Sequence, residues 1–282
     1  MIEHPFPMPH CSTNGISMKI VIAIFAALSA AGPCLASETE WVEVAPAVSV
    51  RLVSSDILGD DGMVWMGLEI DMPADTKTYW RVPGETGLPL VIETAESRDI
   101  GEVEIAWPYP DREIAEGYLD HAFYGHVLFP LAVAIDGDAP VLVADITMGI
   151  CSDICVPANV SLEIAPALDA PDGPNDFRIR QALAAVPLPH DGEGILGEAR
   201  FDMTAEALIV ELLDPGFDYT SVIAHISSSP LVFGEPEIVA PGRLSFALLG
   251  RAGPEALRGA SALFTFNSED GPFEIVRPLT GY

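Results

Sequence analysis

Between Val48 and Leu168 the chain keeps breaking into runs of eight to ten residues rich in Val, Ile, Leu and aromatics, each closed by Gly, Pro or Asp. The runs are VSVRLVSS, MVWMGLEIDM, LPLVIETA, VEIAWPYP, HVLFPLAVAI, PVLVADITM and VSLEIAPAL. They are too short for a helical core and partly alternate in polarity, which is the pattern of strands buried on one face. Seven such segments predict an antiparallel β-sandwich of immunoglobulin type. A second series follows, EARFDM, ALIVELLD, TSVIAHISS, LSFALLG, SALFTFN and FEIVRPL. The expected fold is therefore all-β, two immunoglobulin-like antiparallel sandwich domains over residues 37–168 and 169–282. DAPDGPND, residues 169–176, reads as a linker. FRIRQALAAV after it predicts a short helix capped by Asn175 or Asp176 and ended by Pro187.

The amino-terminal residues read differently. Met18-Lys19 precedes the apolar run IVIAIFAALSAA and the small-residue stretch GPCLA, which predicts an export signal cleaved after Ala36, with Met18 as the true start. The apolar run is shorter than the roughly 20 residues of a membrane span, and no later segment approaches that length, so stable membrane insertion is not expected. Pro33 beside Cys34 argues against a lipid anchor there. The 282 residues include 42 acidic and 13 basic side chains, a net charge of -29. That field repels nucleic acid and anionic lipid, which excludes both as partners.

Loss of the leader removes Cys11 and Cys34 and leaves Cys151 and Cys155, separated by SDI. Two lone cysteines in an oxidising compartment normally pair. If SDI makes one helical turn, their Cα atoms stand about 6 Å apart, within disulfide range. As a staple the bridge is weak, since a five-residue loop contributes roughly 2 kcal/mol against nearly 5 for a hundred-residue loop. Structural zinc wants four ligands, and no second cysteine pair exists. Copper(I) suits thiolates and thioethers, and Met148 stands three residues before Cys151. A redox couple is the remaining reading. Asp153 lies between the cysteines and no Lys or Arg lies within twenty residues on either side in sequence, so the thiolate is disfavoured until a partner docks.

Three stretches in order, YWRVPGETGLP (79–89), HAFYGHVLFPLAV (121–133) and ICSDICVP (150–157), resemble the amino-terminal periplasmic domain of the DsbD and ScsB thiol-disulfide reductases. The resemblance covers about residues 41–168 and extends more faintly beyond. It implies an immunoglobulin-like domain, free of cofactor, whose cysteine pair takes electrons from a membrane-embedded thiol reductase. It then passes them to periplasmic thioredoxin-like or disulfide isomerase proteins. It also implies a cap loop at FYG, 123–125, with Phe123 as shield of the disulfide and Tyr124 its neighbour. Cys155 is implied as the attacking sulfur and Cys151 as the resolving one.

The chain departs from the family in places. Three residues between the cysteines match the ScsB form rather than the wider DsbD spacing. The acidic pair before the cap phenylalanine is replaced by His121 and Ala122, and His121 is a candidate for proton transfer near the thiols. Transmembrane helices and a thioredoxin domain, which continue the family proteins, are not seen, so a separate electron donor is expected. YWRVPGETGLP is expected to shape a turn beside the site, without chemistry of its own. Three functions fit these residues. The first is thiol-disulfide exchange, as a protein-disulfide reductase in the periplasm. The second is copper(I) delivery through Met148, Cys151 and Cys155. The third is an interaction module with an inert disulfide.

Overall fold

The apolar runs become strands in a computed structural model that describes residues 37–227, 229–250 and 257–280. The expected leader and its cleavage site lie outside the described residues, apart from Ser37. The first eleven strands are β1 Val42–Ala45, β2 Val48–Leu58, β3 Met63–Asp71, β4 Lys77–Gly84, β5 Val91–Glu93, β6 Ile100–Ile105, β7 Asp111–Ala115, β8 Tyr118–Tyr124, β9 Val127–Ile135, β10 Leu142–Cys151 and β11 Cys155–Ile164. They form two antiparallel sheets, ordered β1-β2-β3-β9-β6 and β11-β10-β4-β8-β7, with β5 also pairing β10. Alternation sets the core: Val64, Met66, Leu68 and Ile70 of β3 face Ala144, Ile146, Met148 and Ile150 of β10, all nearly or fully buried. Each such aliphatic side chain contributes roughly 1.5–3 kcal/mol by leaving water.

Six strands fall outside the apolar runs: the peripheral β1, the strands Leu188–His190 and Val232–Ala240 of the second half, and β4, β7 and β8 beside the cysteines. In β4, Thr78, Tyr79 and Trp80 are buried in succession, so the strand shows no alternation. YWRVPGETGLP is thus strand through its first half, and the turn comes only at Gly84, where φ is +99° and a Cβ would press against the Leu119 carbonyl. β7 and β8 carry too many polar residues, Asp111, Arg112, Glu113, Asp120 and His121, to announce themselves as a hairpin.

The helix α1, Gly173–Leu183, starts earlier than expected because Asp172 caps it, its Oδ1 accepting from the Asn175 amide at 2.9 Å, with a proline in the first turn. Its Ile179 packs on Val53 and Leu128, against the outer side of the first sheet. Eight strands follow, β12 Leu188–His190, β13 Leu196–Asp202, β14 Ala207–Leu212, β15 Ile223–Ile226, β16 Val232–Ala240, β17 Arg243–Leu249, β18 Ser261–Ser268 and β19 Gly271–Thr280. Their order is β15-β18-β19-β13-β14-β17-β16, with β12 also on β19. Phe246 of β17 and Phe264 of β18, well apart in that order, have ring centroids 5.8 Å apart, so the sheet folds over a core of its own. The pairings of β12 and β13 with β19 are parallel, a local exception to the antiparallel rule.

The two halves touch through polar and aromatic contacts. Arg81 pairs with Glu274, Arg112 donates to the carbonyls of Thr220 and Val222, and the Tyr109 hydroxyl donates to the Ser221 carbonyl. Trp80 stands between His121 and His225, with ring centroids at 5.7 and 5.5 Å and both rings edge-on.

Candidate functional site

Cys151 closes β10 and Cys155 opens β11, so Ser152, Asp153 and Ile154 are the loop of a hairpin rather than a helical turn. The two cysteines are direct cross-strand partners, joined as a disulfide with Cα atoms 4.1 Å apart. This is shorter than the separation expected from a helical turn because a hairpin sets opposed residues face to face. The two sulfurs differ in access: Cys151 is 4% exposed, whereas Cys155 is exposed and follows Ile154, itself 74% exposed.

Side-chain parity decides what surrounds them. Successive strand residues point to opposite faces. Cys151 shares the outer face with Tyr79 and Ala122, and Tyr124 packs beside them. The Tyr79 ring needs glycine on both sides: a Cβ on Gly149 would come within 3.0 Å of its Cδ2, and one on Gly87 would overlap it. Its hydroxyl lies 3.6 Å from Cys155 Sγ and donates, since a disulfide sulfur carries no proton. Burial raises the Tyr79 pKa more than nearby Lys77 lowers it, so the donor stays protonated.

Beneath this aromatic pair lies a charge network. Lys77 is the cross-strand partner of Cys151 on the other side of β10. Its ammonium donates to Glu113 and, at 3.0 Å, to Asp120, and it lies 5.6 Å from the centroid of the Tyr79 ring. Asp120 is nearly buried and also accepts from the Thr86 amide at 3.1 Å and the Thr86 hydroxyl at 2.6 Å. Burial opposes the charge on Lys77, but the hydrogen bonds to Glu113 and Asp120 outweigh it and hold the pKa above that of an ordinary lysine. Lys77 and Tyr124 hold the Glu113 carboxyl below the usual range. Burial first, then the bond to Glu113, pushes Tyr124 up to about 12.

Three expected site residues fall on the wrong face. Phe123 is 8% exposed and meets Phe129 of the opposite sheet edge-on, with centroids 5.0 Å apart, so it packs in the sandwich interior and does not shield the disulfide. Its neighbour Tyr124 lies on the cysteine side, packed against the cluster of Tyr79, Ala122 and Cys151. His121 is 1% exposed, its Nδ1 is 3.0 Å from the Val82 carbonyl, and burial lowers its pKa to about 4. It faces inward as a neutral imidazole, away from the thiols, and is no proton carrier for them. Met148 is fully buried in the core, on the face of β10 opposite to Cys151, which removes the third soft ligand of a copper site.

The cysteines thus lie at the tip of an outer hairpin, beside a tyrosine pair. The family model for the amino-terminal region of the thiol:disulfide interchange protein DsbD matches residues 42–166. This stretch of the chain resembles the DsbD amino-terminal domain family. The crystal structure of the N-terminal periplasmic domain of ScsB from Proteus mirabilis superposes with a TM-score of 0.68 at 21% identity, over 87% of this chain and 99% of that one. The likeness in fold thus continues past the DsbD-type domain into the following strands. No curated protein matches the chain. Among the described residues of the chain, no helix is long and apolar enough to cross a membrane.

Within the DsbD-type domain, sequence reasoning missed Lys77, Tyr79, Glu113 and Asp120. For Tyr79 the pair of glycines, 87 and 149, that make room for its ring was a signal; Lys77, Glu113 and Asp120 had none.

Proposed function

We propose that the chain is a periplasmic thiol-disulfide exchange protein, exported by a leader cleaved after Ala36, in which Cys151 and Cys155 cycle between disulfide and dithiol. The observation that carries this is the unequal access of the two sulfurs at the hairpin tip, one exposed and one 4% exposed. A donor thiolate reaches Cys155 only; attack there forms a mixed disulfide and releases Cys151 as thiolate. The donor's second thiol then displaces Cys155, so two electrons and two protons stay on the pair. In the forward step the Cys155 thiolate attacks a client disulfide, and Cys151 resolves the intermediate and restores the bridge. The donor in this reading is a membrane-embedded thiol reductase, and the acceptors are periplasmic thioredoxin-like or disulfide isomerase proteins.

Trapping tests it. Cys151→Ala, expressed in the native periplasm, is expected to accumulate covalent adducts through Cys155 that reducing agent dissolves, whereas Cys155→Ala accumulates few. A bridge with a reduction potential below about −300 mV, the range of structural disulfides, and no adduct in either variant would refute the exchange role and leave an inert module.

A further inference from the structure

Asp56 is the most anomalous polar residue of the described chain. It is fully buried, its φ is +55°, and its Oδ1 has no hydrogen-bond partner. A buried carboxylate with one oxygen unmet is costly, and a buried charge persists only when paired. Its other oxygen accepts from the Ser37 hydroxyl at 2.5 Å. The arginines on the elements framing this corner are engaged elsewhere: Arg51 with Glu38 and Glu69, Arg178 with the same two acids, Arg180 with Asp176.

The seat around Asp56 is built to hold Ser37. The Ser37 carbonyl accepts from the Ser54 amide at 2.7 Å and from Asn175 Nδ2 at 2.9 Å, and Asn175 is 2% exposed. The Thr39 amide continues the contact by donating to the Leu52 carbonyl at 2.9 Å. Ser37 is thus fixed on both its backbone and its side chain. Within a serine the backbone nitrogen lies about 3 Å from the hydroxyl oxygen, so this nitrogen is no more than about 5.5 Å from the Asp56 carboxylate. A unit charge at that range acts strongly on a buried partner.

We propose that cleavage of the leader between Ala36 and Ser37 supplies the missing cation, the Ser37 α-ammonium, which ion-pairs with the buried Asp56 carboxylate and locks the mature amino terminus into the fold. The step is a hydrolysis by a leader endopeptidase: one water is consumed, Ala36 leaves as a carboxylate, and Ser37 gains the ammonium. The precursor has an amide at that nitrogen, without charge, and leaves Asp56 unmatched. Processing therefore stabilises the exported protein directly, by a mechanism independent of thiol exchange.

The test uses the full chain with its leader, exported and purified from the periplasm. Intact mass is expected to place the amino terminus at Ser37. A second version carries one extra Ala between Ala36 and Ser37, so that cleavage leaves the ammonium one residue away. Its melting temperature is expected to fall by about 4 °C or more, the scale of a buried pair broken in a protein of this size. Asp56→Asn tolerates the left-handed backbone and is isosteric; in that background the insertion is expected to cost less than about 1 °C. The Ser37 amine should also be acylated more slowly than the terminal amine of the insertion protein, a readout that does not depend on the Asn variant folding. A native terminus other than Ser37, or equal melting temperatures and acylation rates with and without the insertion, overturns the proposal.

Discussion

Replacing Lys77 by Met keeps the length of the side chain and removes the one cation between Glu113 and Asp120. The pair with Glu113 is partly open, the carboxylate side chain being 34% exposed, and is worth under about 1 kcal/mol. The pair with Asp120 is different, with the two side chains 14% and 6% exposed. Removing one partner of a buried pair costs about 3–5 kcal/mol because the other charge is left uncompensated. Asp120 keeps two bonds from Thr86, which favours the lower end, so the whole change is about 3–4 kcal/mol. For a chain of this size that lowers the melting temperature by about 6–15 °C. Adding Asp120→Asn removes the orphaned charge and should restore at least half of the loss. The sign with pH follows from the raised lysine pKa. Its contribution is complete below the unfolded value near 10.4 and is lost only as pH rises through the higher folded one, so the penalty should be equal at pH 6 and pH 9. Thermal melts of the oxidised protein measure this. A melting temperature within about 1 °C of the parent, or a double variant no better than the single, would show that the network does not brace the site.

Two further outcomes follow from the same geometry. Tyr79→Phe deletes only the hydroxyl 3.6 Å from Cys155. Losing a donor to a forming thiolate costs roughly 1 kcal/mol, so alkylation of reduced Cys155 at neutral pH should slow about fivefold with no change in melting; an unchanged rate rejects a role for the hydroxyl. His121 and His225 both have burial-lowered pKa values, His121 to about 4. Such groups stabilise fully above the unfolded value near 6.5, and the gain is lost as pH falls from there toward the folded value, about 3 kcal/mol for His121 alone. Urea unfolding at pH 7 and 4.5 should show this slope, and His121→Gln should flatten it; equal slopes in both proteins would contradict the reading.

What the sequence made legible follows one rule. Strands buried on a single face, such as β3 with Val64, Met66, Leu68 and Ile70, announce themselves by alternation. β4 does not, because Tyr79 is covered by the site on one side while Thr78 and Trp80 fill the core on the other. The cysteine pair was readable from spacing and context, but its surroundings were not, since Lys77 and Asp120 reach it only through strand pairing. In the FYG stretch the sequence left open which of Phe123 and Tyr124 lies on the cysteine side. A strand turns each successive side chain over, so Tyr124 rather than Phe123 faces the sulfurs. Met148 and His121 failed by the same parity.

The bridge spans residues that the hairpin already holds opposite each other, from Leu142↔Ile164 down to its last rung. Breaking it frees almost no chain, and the ladder above stays zipped. A shuttle that loosened each time it was charged would expose itself to proteases once per turnover; in the proposed cycle the accumulator sits on the last rung of a ladder whose other rungs do not depend on it.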